Sequence, residues 1–365
     1  MLVLLLGTLA APPAMAAEDD VLFVGNSYTQ FNSPTAIDQC YAALVEEGMP
    51  AWEIASQRYT RTGQTFALHL TQATTDGSEL HDLLTDTETW SWDLIVLQDQ
   101  SQIPGLPQEE FYFQESLAAV VDLAALVDAA GAETRLFMTW GRRDGDPDNL
   151  GRFPDFPTMQ GLLAAGYYTY AEAAGEAGYP VEVVPVGMAW QTIYDEHTAV
   201  GEDPLDPGAL FSRLYSGDDS HPSVLGSYLA GLVFYAAFTG QSPEGLTWAP
   251  DTVVAHDRDA LQAVVARVMA DAIGGGEDTG SPGQEDDTGT GGGGGGETVD
   301  TGLAKDSGGG GASTGDTAEA ADKDSGCGCA TAGGTGPALL GLLLVGWRRR
   351  TERLLSTVPA PTQPR

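Results

Sequence analysis

Two short strings, far apart in the chain, carry the residue types that nucleophilic acyl chemistry needs. The first is Gly25-Asn26-Ser27-Tyr28, which follows the apolar run Val21-Leu22-Phe23-Val24. The second is Asp218-Asp219-Ser220-His221-Pro222-Ser223. A serine hydroxyl becomes a nucleophile when a base takes its proton, and histidine is the usual base near neutral pH. The imidazole in turn needs an acceptor that fixes its tautomer, and a carboxylate supplies it. Asp218, three residues before His221, can fold back to the ring within one loop. A serine at a strand-to-helix turn would also gain backbone N–H groups and a helix N-terminus facing the developing negative charge. Taken alone, Gly-Asn-Ser after a strand reads as an ordinary turn, and a lone His-Pro is unremarkable. The two strings together are what point to chemistry.

Other residues compete for a role. Met138-Thr139-Trp140-Gly141-Arg142-Arg143 ends a further apolar run. Trp140 could stack on a sugar face and Arg142 or Arg143 could bind a carboxylate, or all three could be a packed ring beside solvated cations. The acidic stretch Asp144 to Asp155 alternates aspartates as a calcium loop does, but Asn149 stands where the loop glycine belongs and Pro147 intrudes. A solvated acidic loop is the simpler expectation, and no metal or other cofactor is expected. Cys40 reads as a small core hydrophobe. His69, His81, His197 and His256 lack metal-ligand spacing, so surface or capping roles are expected of them.

The elements that must position these residues follow from the hydrophobic pattern. Short β-rich runs occur at 21–24, 52–55, 93–97, 135–138 and 181–186, with Ala/Leu-rich helical stretches near 34–47, 108–130, 158–178, 223–239 and 251–272. Strand, helix and strand in regular order predict an α/β domain with a parallel sheet of about five strands covered on both faces. Chemistry in such sheets gathers at the C-terminal strand ends. The informative strings sit there, directly after the apolar runs.

Gly-Asn-Ser closing the first strand, with Asp-x-x-His-Pro-Ser opening the last main helix, resembles the SGNH (GDSL-like) hydrolases, in particular the subgroup with Gly-Asn-Ser in its first block. Leu225-Gly226-Ser227-Tyr228-Leu229-Ala230 fits the same pattern, and the resemblance spans about residues 20 to 240. It implies a flavodoxin-like three-layer α/β/α sandwich and ester hydrolysis through a serine acyl-enzyme. By that match Ser27 is the nucleophile, His221 the base and Asp218 its orienter. The family's oxyanion hole uses the nucleophile's own N–H, a glycine N–H and an asparagine side chain. Gly63 in Thr62-Gly63-Gln64-Thr65 matches the glycine. No asparagine follows the central strand, which continues Gln98-Asp99-Gln100-Ser101; Gln100 fits the position and Gln98 is the alternate. Asn26 joins Trp140 and Arg142 as a candidate substrate contact. The substrate expected is a small acyl ester, with O-acetyl groups on a polysaccharide as the leading class. A non-catalytic glycan-binding domain and an acyltransferase with the same triad are the alternatives.

The composition narrows the remaining classes. The chain has 52 acidic against 16 basic residues and a formal net charge of −36, which speaks against a nucleic-acid partner. With three cysteines, and Cys40 alone in the globular part, no disulfide framework is expected there. Residues 1–16 read as a secretory signal ending in Ala14-Met15-Ala16. The catalytic domain is expected over 17–273. Residues 274–326, rich in Gly, Asp and Thr, read as an extended linker. Residues 327–365 hold Cys327-Gly328-Cys329, a short apolar run and Arg348-Arg349-Arg350. That tail resembles a MYXO-CTERM C-terminal sorting signal, which implies a sorting protease as partner and display at the cell surface. An ordinary tail anchor in the envelope membrane and a soluble secreted product are the other readings.

Overall fold

The computed structural model describes residues 18–274. The expected signal, and the linker and tail beyond Gly274, lie outside the described residues. In chain order the elements are β1 (Glu18–Gly25), α1 (Ser27–Gln30), α2 (Ile37–Gly48), β2 (Glu53–Thr60), α3 (Phe66–Ala73), α4 (Glu79–Thr85), β3 (Leu94–Leu97), α5 (Phe111–Ala130), β4 (Glu133–Phe137), α6 (Phe156–Glu176), β5 (Val181–Val184), α7 (Val186–Ala199), α8 (Leu210–Arg213), α9 (Val224–Thr239) and α10 (Ala255–Gly274). The five strands form one sheet in the order β2-β1-β3-β4-β5, all pairs parallel. Among the described residues no helix is long and apolar enough to cross a membrane.

The central strands are apolar without interruption because both faces are covered. The period of two then deals their side chains to two cores. Val21 and Phe23 join Leu94 and Val96 against α2, α7, α9 and α10. Leu22 and Val24 join Ile95 and Leu97 against α3, α4, α5 and α6. The fold is thus the three-layer α/β/α sandwich, with helices on both faces of the sheet.

Register sets the stage for the site. Gly25 pairs with Thr60, Val24 with Leu97, Leu97 with Leu136 and Phe137 with Val184, so the strand ends form one rim. From β1 the chain moves to β2 on one side, then to β3 on the other. The junction between β1 and β3 is therefore the point where the strand order reverses and a crevice opens. The segments after β1 and β3 meet at that point.

Two expectations about elements are corrected. The run at 181–186 does not stay extended to its end. Pro185 lacks an N–H for the ladder and stands at the N-cap of α7, which buries Val186, Ala189, Trp190 and Ile193 at helical spacing. The helix after Ser27 is a single turn, with α2 starting only at Ile37. Its dipole is correspondingly small, and local N–H groups carry the electrostatics instead.

Candidate active site

The nucleophile turn is built around three side chains. Asn26 caps α1, its Oδ1 accepting the Tyr28 N–H at 3.1 Å. Its Nδ2 donates to Gln64 O and Asp99 O, both at 3.1 Å. Gln98 Oε1 accepts the Asn26 N–H at 2.9 Å and the Thr29 hydroxyl at 3.0 Å, and Gln98 Nε2 donates to Asp99 O. Gly25 is required here, since a Cβ would stand 2.4 Å from Thr29 Oγ1 and 2.7 Å from Gln98 Oε1. This packing raises Ser27 on the rim at the end of β1.

His221 arrives from the loop between α8 and α9. Its Nε2 lies 2.8 Å from Ser27 Oγ, and its Nδ1 lies 2.6 Å from Asp218 Oδ2. The other Asp218 oxygen accepts the Ser216 hydroxyl at 2.7 Å and the N–H groups of Ser220 and His221 at 3.1 and 2.9 Å. Partial burial works to raise the Asp218 pKa, but these hydrogen bonds outweigh it and hold the carboxyl well below the usual carboxylate range. A permanently ionised Asp218 favours the Nδ1–H tautomer of His221, which leaves Nε2 free to take the serine proton.

Aromatic rings fix the imidazole from several sides. Phe31 stacks on His221 at 4.6 Å between centroids, and Tyr28 meets it edge-on at 5.2 Å. The Tyr28 hydroxyl lies 2.6 Å from Ser220 Oγ. Asn32 Nδ2 donates to Pro222 O at 2.9 Å, tying the nucleophile loop to the residue after the base. None of these three was singled out in the sequence. The available signal was proximity in sequence, because Tyr28, Phe31 and Asn32 lie one, four and five positions after Ser27.

Four expectations about the rim are corrected. Trp140 is fully buried, stacked between Tyr28 at 5.0 Å and Trp190 at 4.3 Å. Both faces are covered, so no sugar can reach it; its Nε1 donates to Ser220 O at 3.1 Å and supports the base loop. Asn26 is 2% exposed with its amide committed to the turn, so it does not face substrate. Gln98 is fully buried with its amide likewise spent, which removes it as an oxyanion donor. Arg142 is ion-paired to the buried Asp146 instead of standing free. Asp146 also accepts from the side chains of Gln102 and Asn149, while Asp155 caps α6 through the Thr158 N–H at 2.8 Å. The acidic stretch is therefore a loop held by donors from Gln102, Arg142, Asn149 and Thr158. No cluster of three or more His, Cys, Asp or Glu side chains able to hold a metal occurs among the described residues.

The remaining oxyanion candidates lie on the other side of the turn. Gly63 is exposed, with φ +68°, a left-handed conformation suited to glycine. The backbone N–H groups of Ser27 and Gly63 have no protein acceptor among the described residues. Gln100 Oε1 accepts the Gln102 N–H at 2.7 Å and the Ile103 N–H at 3.3 Å, which orients its amide; one N–H of Nε2 reaches Gln102 Oε1 at 3.2 Å. Asp99 holds this side together, its Oδ1 accepting the N–H groups of Phe66 and Gln100 at 2.9 and 2.8 Å. Complete burial pushes the Asp99 pKa up to about 6 against the pull of those bonds. A cleft of about 230 Å³ opens here, lined by Thr65, Gln100, Gln102, Tyr112, Asn149 and Phe153. It adjoins the nucleophile turn, because Asn26 bonds to Gln64 and Asp99, the chain neighbours of Thr65 and Gln100. A larger cavity of about 320 Å³ between Pro104, Pro107, Leu162 and Gly166 holds none of these groups.

Two further residues complete the account. Cys40 is buried on α2, and burial pushes its thiol up to about 12, so it packs as a hydrophobe. His69 departs from its expected surface role. It is fully buried on α3, and burial pushes its pKa down to about 3, leaving it neutral.

No family model matches the chain, and no curated protein matches it either. Solved structures do. A DUF4886 family protein from Bacteroides uniformis is 16% identical, with a TM-score of 0.53 over 69% of this chain and 95% of that one. A protein classed as an SGNH hydrolase from Slackia heliotrinireducens is 25% identical, with a TM-score of 0.42 over 60% of this chain and 98% of that one. An acetylxylan esterase from Geobacillus stearothermophilus is 15% identical, with a TM-score of 0.41 over 65% and 99%. The Bacteroides uniformis structure shares the sandwich architecture.

Proposed function

We propose that the protein is a serine esterase that cleaves small carboxylic esters through an acyl-enzyme. The observation that carries this reading is the unbroken relay Ser27–His221–Asp218 at 2.8 and 2.6 Å, on the rim where the strand order reverses. His221 Nε2 takes the proton as Ser27 Oγ bonds to the ester carbonyl carbon. The carbonyl oxygen, now an oxyanion, is met by the N–H groups of Ser27 and Gly63 and by the Gln100 amide. As the intermediate collapses, the imidazolium returns the proton to the departing alcohol. Water then attacks the acyl-Ser27 carbonyl with His221 again as base, releasing the acid and restoring the serine.

The cleft supports a small substrate. Its volume of about 230 Å³ is below that of most drug-sized ligand sites. Amides line it without a free cation, which favours an uncharged ester. O-acetyl groups on a polysaccharide remain the leading class, a substrate that would suit the export and surface display expected from the two ends of the sequence. The test is hydrolysis of a short-chain aryl acetate, followed by acetylated glycans, with fluorophosphonate labelling of Ser27 in parallel. Turnover by the chain and its loss in Ser27→Ala is the expected result. A folded protein that neither labels nor turns over overturns the reading in favour of glycan binding. Preference for a sugar acceptor over water would make it an acyltransferase.

A further inference from the structure

The base loop contains one backbone conformation that its residue does not favour. Asp219, between Asp218 and Ser220, has φ +59°, in the left-handed region that a residue with a Cβ enters at a cost. The reversal there lets the N–H groups of Ser220 and His221 both turn back on Asp218 Oδ1. Without it, the carboxylate and the imidazole would not face each other within three residues.

Arg143, from the segment after β4, holds that residue from across the rim. Its backbone N–H donates to Asp219 O at 3.0 Å, and its guanidinium meets Asp219 Oδ1 at 2.7 Å. The other edge of the guanidinium is fixed by Asp144 Oδ2 at 2.7 Å, so the fork arrives already oriented. Trp140 Nε1 to Ser220 O and the Tyr215 hydroxyl to Gly141 O, at 3.1 and 2.7 Å, join the same two segments on either side. No hydrogen bond or ion pair between Arg143 and Ser27 or His221 is formed.

Resting on the esterase reading above, we infer that Arg143 is a positioning residue that clamps the left-handed turn at Asp219. The clamp keeps His221 Nδ1–H on Asp218 and so keeps Nε2 on Ser27. A half-exposed ion pair contributes little by itself. Its leverage comes from acting on a strained turn, where a modest loss of the left-handed population uncouples the aspartate from the histidine. The effect falls on kcat, since the clamp touches no substrate surface.

The experiment compares the full chain with Arg143→Ala, Arg143→Lys and the double variant Arg143→Ala/Asp219→Gly. Each is read by kcat and KM on an aryl acetate, by the low-field NMR resonance of the His221 Nδ1 proton, and by thermal melting. Arg143→Ala is expected to lose about tenfold in kcat with KM within about twofold, and to lose or broaden the low-field resonance. Arg143→Lys restores part of both. Glycine at 219 adopts positive φ freely, so the double variant recovers toward wild type without the ion pair. An Arg143→Ala enzyme with unchanged kcat and resonance overturns the inference. So does a loss that neither lysine nor Asp219→Gly repairs and that tracks a lowered melting temperature. If the wild type shows the resonance but cleaves no ester, and Arg143→Ala abolishes the resonance, the clamp stands and the esterase reading falls.

Discussion

The two halves of the site are built in opposite ways. On the base side almost every polar group already has a protein partner. Asp218 uses both oxygens, His221 uses both ring nitrogens, and the ring is packed by Phe31 and Tyr28. On the oxyanion side the backbone is fixed by Asp99, yet the N–H groups of Ser27 and Gly63 point to no protein acceptor among the described residues. Under the proposed esterase mechanism, the difference matches what each half must do. The base side has to hold one proton arrangement before substrate arrives. The oxyanion side has to meet a charge that exists only in the transition state, so its donors must be held in place but left unspent.

Substitutions can break that contrast, and the largest effect belongs to the side already complete. Ser27→Ala or His221→Ala should lower kcat by about a million-fold with little change in melting temperature, measured by aryl acetate hydrolysis and thermal scanning. Asp218→Asn should cost roughly ten thousand-fold in kcat, because an amide no longer enforces the productive tautomer. The two glutamines sharpen the comparison. Gln100→Ala should cost about a hundred-fold in kcat with unchanged stability, as loss of one oxyanion donor does. Gln98→Ala should instead lower stability by about 1–3 kcal/mol in denaturant unfolding, because it strips partners from the buried nucleophile turn. If the two behave alike, the division of labour between them fails.

A last effect, on stability alone, is a pH dependence centred on Asp99. Its carboxyl has a pKa of about 6 in the folded protein, above the 3.8 of an ordinary aspartate. Between those values the native state keeps a proton that the unfolded chain has released. Stability should therefore fall as pH rises from about 4 to about 6, with a slope of at most about 1.4 kcal/mol per pH unit, and this contribution should level off above that. Chemical unfolding across that range, with Asp99→Asn as the reference that lacks the slope, measures it.

Sequence legibility followed the range of the interactions. The β-rich runs and the longer helices other than α7 were readable because each rests on its own periodicity. The Gly-Asn-Ser and Asp-x-x-His strings were readable because each packs its chemistry into a few consecutive residues. What escaped reading was set by distant partners. Trp140 gave no sign that Tyr28 and Trp190 would cover both of its faces. Nor could Gln98 and Gln100 be told apart until β1 was seen beside β3, where the strand end takes the first amide and leaves the second at the cleft. Helix α3 was missed because its buried face includes His69, which the hydrophobic pattern does not count.

The spacing of the dyad has a consequence for how the protein is made. Ser27 and His221 lie 194 residues apart, and Ser27 stands two residues after the end of the first strand of the described domain. A chain emerging from its N-terminus exposes the serine long before the residues that activate it exist. In the proposed mechanism, chains that end before His221 are therefore chemically silent, and acyl transfer begins only once the base loop has closed onto the turn after β1. On the esterase reading, activity reports that the chain has been made at least through the base loop.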